Sequence, residues 1–94
     1  MKNEIHEECG VLGIFAPESS PVASTAYYGL FALQHRGQES CGIVVNDDGV
    51  FSYYKDIGLV NDVFTPEVLA SLGNGNMAVG HTRYGTTGNN DRLN

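Results

Sequence analysis

Two cysteines and two short basic motifs carry most of the reactive chemistry in this 94-residue sequence. Cys9 follows a polar, acidic opening segment, Met1-Lys2-Asn3-Glu4-Ile5-His6-Glu7-Glu8, and precedes Gly10. A thiol beside an apolar stretch is ordinarily a small buried hydrophobe. The position of Cys9 offers a second chemistry. If the chain is cut between Glu8 and Cys9, one residue holds a thiol titrating near ~8.5 and an α-amine titrating near ~7.7–8.0. Nucleophile and base then share a residue, as in enzymes with an N-terminal threonine. In the uncut chain that nitrogen is an amide and supplies no base.

The next candidate is Leu33-Gln34-His35-Arg36-Gly37-Gln38-Glu39-Ser40. It joins a helix end to a strand start. His35 and Arg36 there either face solvent, where they favour a helix C-terminus, or serve a ligand. The last is Gly80-His81-Thr82-Arg83-Tyr84-Gly85-Thr86. Arg83 is a surface cation or a carboxylate binder, since its planar fork matches a carboxylate. A metal site is not expected. His6-x-x-Cys9, with Cys41 and His81 elsewhere, lacks the paired spacings of zinc sites.

The elements that must position these groups follow from apolar spacing and turn signals. Residues 10–16 form an apolar run between Cys9 and Pro17, which reads as a buried strand. Ser20 as cap and Pro21 as first helical residue open a helix. Its stripe is Ala23, Ala26, Tyr27, Leu30, Phe31 and Leu33, running to about Gln34, with Gly37 as a stop. A strand over 40–46, the turn Asp47-Asp48-Gly49 and a partner at 50–54 make a hairpin. Thr65-Pro66-Glu67 starts a helix that Gly73 ends. Asn74-Gly75-Asn76 is a turn before a strand at 77–84, and the tail to Asn94 is polar. A hairpin among helices argues for α+β rather than a doubly wound parallel sheet. A chain that stops just after a strand reads as the front of a larger domain.

Composition removes several classes of function. The net charge is −6, and the basic residues Lys2, Arg36, Lys55, Arg83 and Arg92 are scattered, so a nucleic-acid face is not expected. No apolar run approaches the ~20 residues of a membrane span. The acidic opening segment is neither a secretory signal nor a transit peptide, so the expected location is cytoplasmic. Two cysteines make no disulfide framework.

Taken in order, Cys9-Gly10-Val11-Leu12-Gly13-Ile14, the Leu33–Ser40 motif and the Gly80–Thr86 motif resemble the start of the glutamine phosphoribosylpyrophosphate amidotransferases (amidophosphoribosyltransferases). These are class II, N-terminal-nucleophile glutamine amidotransferases. The middle motif is the specific one, because hexosamine-forming relatives typically carry tyrosine where His35 stands. The resemblance implies a leader at 1–8 that is removed. It also implies that 9–94 is an incomplete N-terminal portion of the glutaminase domain, part of a four-layer αββα sandwich.

The reaction implied is release of ammonia from glutamine, then transfer to phosphoribosyl pyrophosphate in a C-terminal domain, opening purine synthesis. Cys9 matches the nucleophile. Arg83 matches the arginine that binds the glutamine α-carboxylate, Thr86 a neighbouring substrate contact, and Arg36 a loop arginine near the nucleophile. His81 and Tyr84 fall in the motif without assigned roles. The family's oxyanion-hole Asn-Gly pair and its amine-binding aspartate lie downstream of the arginine motif. Asn74-Gly75 stands upstream of Arg83, in the wrong order, and Asp91 stands too close to it. The resemblance therefore implies that these 94 residues are inactive alone. It implies no cofactor in this chain. Full-length members use Mg2+ in the phosphoribosyltransferase domain, some carry an iron–sulfur cluster, and a homo-oligomer is expected. The competing readings are a non-catalytic binding remnant and the glutaminase domain of another class II amidotransferase.

Overall fold

A computed structural model of the protein describes residues 9–34 and 38–84. Its elements are β1 (Cys9–Ser20), α1 (Val22–Leu33), β2 (Gln38–Asp47), β3 (Val50–Ile57), α2 (Val60–Val63), α3 (Pro66–Leu72) and β4 (Gly75–Tyr84). The strands form one antiparallel sheet in the order β1-β4-β2-β3. The class is α+β, as the hairpin implied.

Period-two alternation gives the sheet two different faces. Along β4, Ala78, Gly80, Thr82 and Tyr84 are buried, while Met77, Val79 and Arg83 are exposed and His81 is half-buried. The buried side meets α1, whose Val22, Ala23, Ala26 and Leu30 join Cys41, Ile43 and Val45 of β2 in the core. Two glycines permit this close approach. A Cβ on Gly80 would stand 3.0 Å from Leu30, and one on Gly29 would stand 2.7 Å from Leu12. Helix α2 and the segment after it complete the core with Val60, Val63 and Phe64, and Leu72 of α3 closes it. Tyr54 packs edge-on against Phe64, with ring centroids 6.1 Å apart.

Among the described residues, the opposite face of the sheet carries no helix. Val11, Phe15, Val44, Phe51, Tyr53, Ile57, Met77 and Val79 are exposed along it. The helices and the sheet make two layers, where the resemblance implies four.

Turn chemistry explains the joins. Asp48 and Gly49 have φ of 52° and 94°, the two positive values of a type I′ hairpin, and Asn46 Oδ1 accepts from the Gly49 amide at 2.7 Å. Thr65 caps α3 by accepting from the Val68 amide at 3.2 Å, Pro66 opens the helix, and Gly73 ends it at φ 73°.

The structure corrects several expectations. Ser20 does not cap α1. It is a strand residue paired with Gly75, and its hydroxyl donates to the Glu18 carbonyl at 2.7 Å. Pro21 precedes the helix with no side-chain cap. β1 runs on through Pro17 because an edge strand tolerates proline, and it is not a buried strand: Leu12, Ile14 and Ala16 turn toward the core while Val11 and Phe15 stand exposed on the other face. Phe31 and Leu33 are exposed at 49% and 37%, so the buried stripe of α1 is narrower than its apolar one. Gly75 and Asn76 begin β4 instead of forming a turn. Helix α2 was not foreseen, since four residues are too few to show a period. The stop at Gly37 and the tail from Gly85 lie outside the described residues.

The helix–sheet contact gives a direct test. Gly80→Val drives a branched side chain into Leu30 and should cost about 1–3 kcal/mol in urea unfolding. Gly13→Ala, with nothing within 4 Å of the added carbon, should stay within about 0.5 kcal/mol. Equal midpoints for the two variants would contradict this packing.

Candidate functional site

The sheet brings all three sequence motifs together. In the β1–β4 ladder Cys9 pairs with Arg83, and in the β2–β4 ladder Ser40 pairs with the same Arg83. Residues 9, 83 and 40 therefore form one row across three strands, although the first two are far apart in the chain. Opposed residues in an antiparallel ladder have Cα atoms about 4.5–5.5 Å apart. Arg83 stands exposed on the helix-free face.

The neighbouring row on that face is Val11, His81, Gly42 and Lys55. The His81 ring lies over Gly42, where an added Cβ would come within 2.5 Å of Nε2 and 2.9 Å of the Lys55 Cβ. Gly42 thus provides the space that the imidazole fills. Burial, and then the Lys55 ammonium, hold the His81 pKa below its usual value, so the ring is neutral near pH 7. Arg83, His81 and Lys55 place donors and positive charge at one end of an otherwise apolar face. An anion such as a carboxylate is the ligand chemistry this corner favours.

Tyr84 points to the other side. It is buried, and its hydroxyl donates to the Leu33 carbonyl at 2.7 Å. It ties the end of β4 to the end of α1. Gln34 extends this join: its Oε1 accepts from the Val60 amide at 2.7 Å and its Nε2 donates to Asn61 Oδ1 at 3.3 Å. Arg36 and Thr86 lie outside the described residues.

Gly42 and Lys55 were missed from the sequence. Only the cross-strand register places either beside His81, and register is not legible from one strand alone. The second cysteine, Cys41, is a core residue. It is fully buried, and burial, followed by the Asp56 charge, pushes its pKa from 9.0 up to about 11. At neutral pH it is a thiol and a poor nucleophile.

A groove of about 530 Å³ runs between α1 and α3, lined by Tyr27, Tyr28, Phe64 and Leu69 among others. It is on the helical side of the sheet and holds none of the motif residues. Among the described residues no group of three or more His, Cys, Asp or Glu side chains could hold a metal ion, and no helix is long and apolar enough to cross a membrane.

Comparison with known proteins agrees with the motifs. The chain is 52% identical over 86 residues to an amidophosphoribosyltransferase of Mycobacterium tuberculosis, covering 92% of this chain and 16% of that protein. It is 56% identical over 82 residues to the Synechococcus elongatus amidophosphoribosyltransferase, covering 87% and 16%, respectively. It is 55% identical over 80 residues to that of Methanocaldococcus jannaschii, covering 85% and 17%. A solved structure of the allosteric regulatory enzyme of purine biosynthesis superposes with a TM-score of 0.69 at 44% identity, over 84% of this chain and 16% of that one. The glutamine phosphoribosylpyrophosphate amidotransferase of B. subtilis, complexed with ADP and GMP, gives 0.65 at 44%, over 82% and 16%. No family model matches the chain. The chain spans about one sixth of the length of the curated relatives it matches.

The depressed His81 pKa has a pH consequence. The unfolded chain protonates this ring near pH ~6.5 and the folded chain only at lower pH, so folding stability falls as pH drops below ~6.5. His81→Gln should flatten the slope of unfolding midpoint against pH between about 6.5 and 5. An unaltered slope would mean that the ring is not held neutral by its surroundings.

Proposed function

Taking the chain as a segment of the amidophosphoribosyltransferase family, which its sequence and fold both match, we propose that it carries the nucleophile and the carboxylate-binding side of a glutaminase site. The observation that carries this reading is the row in which Cys9 stands opposite Arg83. The two ends of the proposed chemistry meet on one sheet, and a rigid sheet can keep their spacing.

The mechanism follows from the groups. Removal of 1–8 exposes the Cys9 α-amine. Arg83 binds the glutamine α-carboxylate by paired charge-assisted bonds and fixes the far end of the substrate. The amine takes the thiol proton, and the Cys9 sulfur attacks the side-chain amide carbon. A C–S bond forms and the carbonyl pair moves onto oxygen. As that oxyanion collapses, the C–N bond breaks and the α-ammonium protonates the departing nitrogen, giving ammonia and a thioester. Water, deprotonated by the freed amine, then cleaves the thioester to glutamate and restores the thiol. Arg36 and Thr86 serve as flanking substrate contacts in this reading.

The rest of the family's length supplies what these residues do not. An oxyanion hole, worth about 10²–10³ in rate per donor, and a group for the substrate amine come from downstream residues. A second sheet from the same source covers the open apolar face. The ammonia displaces pyrophosphate from phosphoribosyl pyrophosphate in a phosphoribosyltransferase domain, where Mg2+ would assist, and the whole enzyme assembles as a homo-oligomer. On this reading the 94 residues alone release no glutamate.

The test uses an amidophosphoribosyltransferase polypeptide that carries this segment. Cys9→Ser should abolish glutamine-dependent phosphoribosylamine formation and spare the ammonia-dependent reaction. Arg83→Lys keeps the charge and loses the fork; charge-assisted bonds of about 1.5–3 kcal/mol then predict a loss of roughly ten- to a hundredfold in kcat/KM for glutamine. Glutamine kinetics unchanged in either variant would sink the assignment of that residue.

A further inference from the structure

At the end of the sheet where Arg83 lies, β2 carries one residue more than β4. Gln38 pairs with Tyr84 and Ser40 pairs with Arg83, so two steps along β2 match one along β4. Glu39 is the extra residue of a β-bulge. Burial follows the bulge: Gln38 is 6% exposed, Glu39 is exposed, Ser40 is half-buried and Cys41 is buried. Uninterrupted alternation from Cys41 would turn Glu39 toward the helices and Gln38 away. A carboxylate would then enter the core, at a steep cost. The bulge decides which side chain goes inward, and it does so opposite Arg83 and Tyr84.

One side chain holds this irregularity. Gln38 Nε2 donates to the Ser40 carbonyl at 3.0 Å, across the bulge, and to the Gly58 carbonyl at 2.6 Å, on the link after β3. The Gly58 amide returns a bond to the Glu39 carbonyl at 2.7 Å. Gly58 sits at φ 136°, a conformation that favours glycine. Both amide protons of Gln38 are committed, yet its buried Oε1 has no partner among the described residues. A residue present only to fill space would carry no such cost. The gain lies on the nitrogen.

We propose that Gln38 is a positioning residue for Arg83. Its side-chain amide locks the β2 bulge, and the locked bulge sets the direction in which the paired arginine leaves β4. Bulges commonly re-aim a side chain next to a site. The inference rests on the reading of Arg83 as the carboxylate-binding arginine. Gln38 makes no contact with substrate in this scheme and acts only through the strand.

Two variants separate the amide from the packing. Gln38→Met keeps the length and loses the donors, and Gln38→Glu keeps the shape but sets a carboxylate against two carbonyls. In the 94-residue chain, hydrogen exchange followed by mass spectrometry should quicken at least about tenfold around Gly58 and around 81–84 in both variants. Exchange at 43–46 and 77–79, farther along the same strands, should be unchanged, because local opening need not involve the whole unit. In an amidophosphoribosyltransferase carrying this segment, the KM for glutamine should rise roughly five- to twentyfold, as the loss of a bond or two allows. The ammonia-dependent rate should hold. Uniformly faster exchange along β2 and β4 would reduce Gln38 to a core residue and overturn the proposal. A KM raised by Arg83→Lys but not by Gln38→Met would also overturn it while leaving the glutaminase reading intact. A KM unmoved by Arg83→Lys would instead fail the carboxylate reading itself.

Discussion

Strand β4 is hydrogen-bonded along both edges, to β1 on one side and β2 on the other. No other described contact joins Cys9 to Arg83. The pairing sets one residue opposite another with no freedom to slip, because a one-residue shift would turn Ala78, Gly80 and Thr82 away from α1 and drive Val79, His81 and Arg83 into it. The core therefore enforces the register, and the register makes the site. Gly80 is where the two requirements meet, since it lets Leu30 seat against the strand and holds Arg83 on the far face.

Much of this was legible from residue types. The hairpin turn at Asp48-Gly49, the Thr65-Pro66 start of α3 and the Gly73 stop each have a local cause within a few residues, and each was found where expected. The motifs also announced themselves, because histidine and arginine set beside glycines have little packing value. The α1 boundary was misread for the opposite reason. Serine followed by proline is a strong local cap signal, but pairing of Ser20 with Gly75 keeps that residue in β1. The exposure of Phe31 and Leu33 was likewise hidden, because periodicity shows which residues share a helix face and not how far the opposing layer reaches.

What could not be read from the sequence depends on two strands at once. The place of His81 over Gly42, the nearness of Lys55 and the bulge at Glu39 are all properties of register. A glutamine beside a motif looks like ordinary polar surface until its amide is seen bridging Ser40 and Gly58. The apolar face from Val11 to Tyr53 belongs to the same category. Each strand alone reads as an apolar run, and only the assembled sheet shows that, among the described residues, one whole side has no covering layer.

The account turns on the claim that β1 and β4 pair with Cys9 opposite Arg83. Arg83→Cys tests it without any assay of function. Paired positions lie about 4.5–5.5 Å apart at Cα, inside the 4.4–6.8 Å range that a disulfide spans. Under mild oxidation the variant should form an intrachain bond between Cys9 and the introduced cysteine, seen as a loss of two hydrogens in the intact mass and located by peptide mapping. His81→Cys, opposite Val11, should leave Cys9 free. A Cys9 that stays reduced in the first variant, or that links to position 81 in the second, would contradict the register on which the site is built.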